Sequence, residues 1–460
     1  VGKVGQDSGR LGESVTPTKL SQRRLDPGDA LELTKRWSLH FDVEHLHGPE
    51  EIERGPQELV VVCLVRDGRP FIRSFLDHYF SLGAKHVVFL DNGSNDGMVE
   101  DLAGYDNVTV LRTGLPFVEY QFVMKRYLVE RFGRDRWTLC VDVDELFDYP
   151  YSDVVSLGSF LGYLSENGYT AVASQMLDMF PEEPLHDGGS KESDEPLKER
   201  HRFYDTSSVT RQEYRPPPGS KADHDNVISN SEIDVLQGGV KKNVFGYSPI
   251  LTKHPLVFHD GKVKPFDNSA HWASGAYVAN LTCVLFHYTF LEFLYERLRR
   301  DLRESNYFSS GKFQRLSRVL EGTAEIQVKR ETSKEFGSVN DLADEGFLTV
   351  SEGYMKLVDK EEGENPPPET LRRRPYRLAE SFSRARERKM DLMKRASQPR
   401  LHAGELESEV REERQKARRI GQRNTKLETE LRSVEESRAW KILGTACRIR
   451  GALRGRRRGG

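Results

Sequence analysis

The rhythm of hydrophobic and polar positions changes at Glu58. Before it, residues 1–57 are polar and spotted with Gly and Pro, which predicts an irregular leader with one short helix at Asp29–Trp37. Leu59–Val65 (LVVVCLV) is then a continuous β-rich apolar run, the pattern of a strand covered on both faces. Arg69–Leu82 follows with Phe71, Ile72, Phe75, Leu76, Tyr79 and Phe80 at helical spacing, and Gly83 stands where a C-terminal cap belongs. His86–Leu90 predicts a second strand, Asp91–Gly97 a polar turn and Met98–Ala103 a short helix. Val108–Leu111 predicts a strand, Phe117–Phe132 a longer helix and Trp137–Val141 (WTLCV) another strand. Such alternation predicts an α/β fold, a Rossmann-like, mostly parallel sheet with helices on both faces.

Beyond this the pattern loosens. Tyr169–Met176, Val257–His259 and Leu281–Phe286 predict strands, and Phe290–Leu302 a helix. Glu182–Glu199 and Tyr214–Ser231 predict loops, and 303–360 is mixed and polar. Consecutive prolines at Pro366–Pro368 close the globular part. From Leu406 a heptad runs through Val410, Ala417, Ile420, Asn424, Leu427, Leu431 and Val434. An Asn at an a position, here Asn424, favours a parallel homodimer in fixed register. The resulting plan is a leader at 1–57, an α/β domain at 58–305, a helical and irregular extension at 306–360, a Pro/Arg-rich linker at 361–404, a coiled coil at 405–438 and a basic amphipathic tail at 439–460.

Composition sharpens this plan. Hydrophobic residues make up 37% of the 460 residues and charged ones 31%, which is lean and fits one packed domain with polar flanks. The net charge of −3 hides an asymmetry: Leu371–Gly460 carries 27 Lys and Arg against 12 Asp and Glu, a net +15, leaving −18 for the rest. In the tail, Trp440, Ile442, Leu443 and Leu453 sit among arginines, which predicts a peripheral anchor on an anionic membrane surface. No recognition motif accompanies the arginines, so nucleic acid is not an expected partner. Cys63, Cys140, Cys283 and Cys447 include no C-x-x-C pair, which argues against a zinc ribbon or redox couple and for reduced thiols. No run of about 18 apolar residues predicts a membrane span, and residues 1–57 hold no signal-peptide core. The expected location is cytoplasmic, at the inner face of the cell membrane.

Ligands of open α/β sheets bind beyond the carboxyl ends of the strands. Three polar clusters fall there: Arg66-Asp67, Asp91–Gly97 and Asp142-Val143-Asp144-Glu145. Alternate residues of an extended segment point the same way, so Asp142 and Asp144 are expected to aim at one point. Two convergent carboxylates suit a hard divalent cation, Mg²⁺ or Mn²⁺, that bridges substrate phosphates and assists a departing nucleotide diphosphate.

The ordered stretches VRDGRPFIRSFLDHYFSLGAKHVVFLDNGSNDG, WTLCVDVDELF, DMFPEEPL, GGVKKNVFG, LTKHPLVF, SAHW and LFHYTFLEF resemble the GT-A glycosyltransferases, in particular the family 2-like bacterial group. The resemblance covers roughly Glu58–Asp301, about half the chain. It implies metal-dependent transfer of a sugar from a nucleotide-sugar donor to a glycan or lipid-linked acceptor, with inversion at the anomeric carbon. It implies metal ligands at Asp142, Asp144 and His287, with His271 as a second histidine candidate. Donor contacts are implied at Arg66, Asp67, Asp91, Asp142 and Lys253, with Lys241 and Lys242 as further phosphate partners. Where the group commonly reads Arg-Asn-Glu, this chain has Arg66-Asp67-Gly68. Asp178, just past the Tyr169–Met176 strand, is the expected catalytic base, with Glu182 and Glu183 beyond it. Two other readings compete. A haloacid-dehalogenase-type phosphohydrolase also places Asp-x-Asp after a strand, but as the first strand of its domain. A catalytically dead transferase-like scaffold, dimerising through its tail, is the other.

Overall fold

The computed structural model describes residues 27–364 apart from 190–194, 215–224, 267, 268, 270 and most of 304–323. The coiled coil at 405–438 and the basic tail at 439–460 lie outside the described residues. The described residues open with α1 (Pro27–Asp42) and β1 (Glu44–His47), so the sheet takes in a strand earlier than the hydrophobic rhythm suggests. Then come β2 (Val60–Val65), α2 (Arg69–Leu82), β3 (His86–Asp91), α3 (Met98–Leu102), β4 (Val108–Arg112), α4 (Phe117–Phe132), β5 (Trp137–Val141) and β6 (Glu145–Asp148). α5 (Leu157–Glu166) and β7 (Ala171–Asp178) follow. A region of short pieces holds β8 (Leu185–His186), α6 (Leu197–Arg200), β9 (Phe203–Tyr204), β10 (Thr210–Glu213), β11 (Val227–Ile228), β12 (Asp234–Gln237) and α7 (Val240–Phe245). β13 (Thr252–Phe258), β14 (Tyr277–His287) and α8 (Leu294–Arg303) lead to β15 (Glu325–Ile326), β16 (Lys334–Glu335), α9 (Val339–Asp344) and α10 (Glu352–Glu364).

The central sheet runs β1-β4-β3-β2-β5-β13-β7-β14-β11, with β6 also paired to β14. β4, β3, β2 and β5 are mutually parallel, as expected. β13 then runs antiparallel between β5 and β7, and β7 and β14 are parallel to each other. The reversal has a useful result: the start of β13 shares an edge with the carboxyl ends of β5 and β7. The segments 182–199 and 214–231, expected as loops, contain β8, α6 and β11.

Local chemistry explains the elements. Pro70 sits in the first turn of α2, where its missing N–H costs nothing, and Gly83 caps the helix in the left-handed region at φ 103°. Every residue of β2 is buried because both faces are covered. Val60, Val62 and Leu64 point toward Val123, Met124 and Leu128 of α4. On the opposite face Phe89 meets Phe75 of α2, with ring centroids 5.5 Å apart. A separate apolar cluster seats α8: Leu294, Tyr295 and Leu298 pack with Phe180, Phe245 and Phe290. No helix among the described residues is long and apolar enough to cross a membrane. Cys63, Cys140 and Cys283 are buried free thiols.

Phe89 and Phe75 are both fully buried. Phe89→Ala is expected to cost about 3–5 kcal/mol through lost transfer energy and a residual cavity. Urea unfolding measures it, and a loss below about 1 kcal/mol would show that the α2 face contributes little to the core.

Candidate functional site

The chain does not stay extended after β5. Glu145 donates its N–H to the Asp142 carbonyl at 3.0 Å, closing a turn, and Asp142 donates its N–H to Glu145 Oε2 at 3.1 Å. The two aspartates beside this turn take different partners. Asp142 Oδ1 accepts from Lys125 Nζ at 2.6 Å and Oδ2 from Lys253 Nζ at 3.2 Å. Lys253 also donates to Glu145 Oε1. Asp144 Oδ2 instead accepts from Arg297 Nη2 at 2.9 Å and lies 3.8 Å from His287 Nε2. Burial works against the charge of both carboxyls. Lys125 and Lys253 outweigh it at Asp142, and Arg297 with His287 outweighs it at Asp144, so both sit below the usual carboxylate range.

Strand register assembles the next group. Glu145 of β6 stands opposite His287 of β14, and His287 stands beside Asp178 of β7. Asp178 Oδ1 lies 2.7 Å from His287 Nδ1 and 3.3 Å from Lys241 Nζ. Burial again opposes the charge, but Lys241 and His287 hold the Asp178 pKa low. Asp178 Oδ1 and, at 3.1 Å, Lys241 Nζ both lie against Nδ1, while Nε2 faces Thr289 Oγ1 at 3.0 Å and the Asp144 side. Asp178 Oδ2 is buried with no hydrogen-bond partner among the described residues.

The first two strand ends complete the rim. Asp67 adopts a left-handed φ of 52°, its N–H donates to Ser94 Oγ at 2.8 Å, and its Oδ2 accepts from Arg300 Nη1 at 3.0 Å. Gly68 is required next to it, because a Cβ there would stand 2.5 Å from Val65 Cγ2. Asp91 is fully buried; Oδ1 accepts the Ser94 N–H at 2.9 Å and Oδ2 accepts from Arg112 Nε at 2.8 Å. Its carboxylate therefore shapes the turn, and Arg66 lies exposed at the same edge.

The structure thus brings Asp142, Asp144, Asp178, His287, Lys253 and Lys241 together. Glu182 lies apart, exposed and bonded to Lys329, and Glu183 is exposed. His271 is half-buried with its Nδ1 inside, and desolvation, with Lys253 and Lys125 nearby, pushes its pKa well down. Sequence reasoning missed Lys125, Arg297 and Arg300 as site residues and did not assign Glu145 a role. Lys125 carried a signal: it shares the buried side of α4 with Gln121, four residues earlier, amid an apolar stripe. The arginines carried none, since "LYERLRRDLR" reads as a solvated helix face.

A cation site of three protein ligands, Asp142, Asp144 and His287, is not assembled: among the described residues no group of three or more His, Cys, Asp or Glu is placed to hold a metal ion. Two of the three do fit one. Asp144 Oδ2 and His287 Nε2, 3.8 Å apart, lie within the span of two ligands on one ion. A hard cation commonly keeps few protein ligands and fills its shell with phosphate oxygens and water.

No family model and no curated relative matches this chain. Among solved structures it is similar to a mannosyltransferase from Pyrobaculum calidifontis in complex with GDP-Man and Mn2+, at 16% identity, 32% of this chain, 43% of that chain and a TM-score of 0.19. It is similar to a nucleotidyl transferase from Methanothermobacter thermautotroptrophicus at 15% identity, 28% of this chain, 65% of that chain and a TM-score of 0.17. It is similar to a UDP-glucose pyrophosphorylase from Acinetobacter baumannii at 12% identity, 71% of this chain, 97% of that chain and a TM-score of 0.20. The chain spans less than two thirds of the length of the first two. Likenesses this distant carry nothing about the chemistry of this chain.

The buried histidines set a pH dependence. Burial holds His78 at about 3 and His86 and His201 at about 4, and His271 also lies well below its ordinary value. Each is neutral in the folded chain while its unfolded form takes a proton near pH 6.5. Their contribution is fully present above about pH 6.5 and is lost as pH falls toward the folded values. Urea unfolding is expected to show stability dropping between about pH 6.5 and 5, before most carboxylates titrate. A flat profile across that window would contradict this placement of the histidines.

Proposed function

We propose that this chain transfers a sugar from a nucleotide-sugar donor to an acceptor hydroxyl, with a divalent cation, Mg²⁺ or Mn²⁺, and inversion. The supporting observation is the charged rim: Asp67, Asp142, Asp144 and Asp178 from three strand ends, joined by His287 at the end of β14 and faced by Lys241, Lys253, Arg297 and Arg300. Such a rim can take a phosphate-bearing donor and a cation together.

In this reading Asp144 and His287 hold the cation, which supplies charge neutralisation to the leaving nucleoside diphosphate when bound. Asp178 stands behind the imidazole: it accepts from Nδ1, fixes the ring and aims Nε2 at Asp144. That role replaces the catalytic base expected at Asp178, whose buried side chain is only 2% exposed and whose depressed pKa makes it a poor proton acceptor. Asp142 is structural in the same reading, because both its oxygens already neutralise buried lysines. The acceptor is a glycan or a lipid-linked hydroxyl. The basic segment at 439–460 suits an anionic membrane surface, and the heptad at 405–438 suits a parallel homodimer.

The test is a panel of nucleotide-sugars with Mn²⁺, following nucleoside diphosphate release and thermal stabilisation. At least one donor should be turned over or should stabilise the chain; a panel with neither effect sinks the reading. The two aspartates should separate. Asp144→Asn should abolish cation-dependent nucleotide binding with the fold intact, whereas Asp142→Asn should lose about 3–5 kcal/mol of stability by stranding a buried charge. Equal effects of the two on nucleotide binding would return Asp142 to the metal shell.

Asp178→Asn should weaken Mn²⁺ affinity by roughly 10–100-fold, the size of losing a carboxylate partner of a ligating histidine. Unchanged Mn²⁺ affinity with a collapsed kcat would restore Asp178 as the base.

A further inference from the structure

α8 presents two faces. Leu294, Tyr295 and Leu298 are buried in the cluster that seats it, and Arg299 anchors it further through Asp187, with Nη1 donating to Oδ1 at 2.6 Å. The helix is therefore held without its other two inward arginines. Arg297 and Arg300, three residues apart and so on one face, reach the rim instead. Arg297 takes Asp144 at 2.9 Å and Arg300 takes Asp67 at 3.0 Å, bridging the turns that follow two neighbouring strands, β5 and β2. Both arginine side chains are about a third exposed, 30% and 34%, although Nη1 of Arg297 is itself buried, while their carboxylate partners are 7% and 16% exposed.

Charge decides what this pair can do. Each rim carboxylate already has a cationic partner: Asp91 has Arg112, Asp142 has Lys125 and Lys253, Asp178 has Lys241, and Asp144 and Asp67 have the α8 arginines. A diphosphate brought to a balanced rim adds uncompensated negative charge unless cations are released to meet it. The lysines on Asp142 are almost wholly buried and cannot turn outward; the α8 arginines, part-exposed on long side chains, can. A guanidinium binds phosphate as well as carboxylate, through the same fork of N–H donors.

We propose that Arg297 and Arg300 form an exchangeable clamp that leaves Asp144 and Asp67 to bind the diphosphate of the donor. The idea rests on the nucleotide-donor reading and adds the residues that hold the phosphates. It also couples two events. Asp144 is buried and cannot lose Arg297 without another cation, so diphosphate and divalent cation each bind more tightly when the other is bound.

The experiment titrates the full chain with inorganic pyrophosphate, with and without Mg²⁺, by calorimetry, then with UDP, GDP and geranyl diphosphate to separate nucleotide from lipid sources. Arg297→Ala and Arg300→Ala should each weaken pyrophosphate binding roughly tenfold or more. Asp67→Asn discriminates clamp from brace. Asn tolerates the left-handed backbone at this position, and its amide oxygen can still accept the Asn95 N–H. If Arg300 merely braces the rim, Asp67→Asn harms binding as Arg300→Ala does. If Arg300 is the clamp, Asp67→Asn frees it and pyrophosphate binds as tightly as before or tighter, and that outcome supports the proposal. Pyrophosphate bound with no loss in either arginine variant overturns the clamp while leaving the nucleotide reading standing. No pyrophosphate binding by the wild type overturns it too. Arginine-dependent pyrophosphate binding with no affinity for UDP or GDP keeps the clamp and removes the nucleotide reading.

Discussion

Lys125 and Lys253 are buried beside Asp142 and Glu145, and the rest of the rim is arranged around that network. Lys125, Lys253 and Glu145 are out of water and Asp142 is part-exposed; taking three ionised groups out of water is costly, and only close pairing offsets the desolvation. Lys253 pairs with both carboxylates, and although burial works to lower its pKa, Glu145 and Asp142 raise it above the ordinary lysine value. The network fixes the turn after β5, because Glu145 simultaneously accepts the Asp142 N–H and the Lys253 ammonium. With that turn fixed, Asp144 faces His287 and Arg297. A loosened network would therefore disturb the site without touching any residue that meets a ligand.

The parallel half of the fold was legible because its code is local. VVVCLV, HVVFL and WTLCV are short β-rich runs, and the α2 stripe with Gly83 behind it specifies a helix and its end. β13 was not fully legible. Its sequence, TKHPLVF, carries Lys, His and Pro inside a strand buried along nearly its whole length, which only neighbouring strands can make acceptable. The antiparallel run of β13 is a tertiary choice that periodicity does not record.

Site residues were legible where type and position agreed. Asp142 and Asp144 stood out at a strand end, but their separation into two charge groups depends on the turn that Glu145 closes. His287 and Asp178 could be named singly, while their pairing comes from the β14–β7 register. Lys125 was concealed by a helix whose pattern spoke of packing. Arg297 and Arg300 became meaningful only once α8 was seen seated over the rim.

The antiparallel entry of β13 also orders events during folding. Lys253 meets Glu145 across 108 positions, Arg297 meets Asp144 across 153, and Arg300 meets Asp67 across 233. A chain released only as far as Asp178 carries the acids of the rim but not the cations supplied by β13, α7 and α8. Mutual repulsion among those acids resists early closure of the edge, and long-range pairing is intrinsically slow. These charge pairs of the rim therefore close only once the chain through α8 has been made, whereas Arg112 and Lys125 are present earlier.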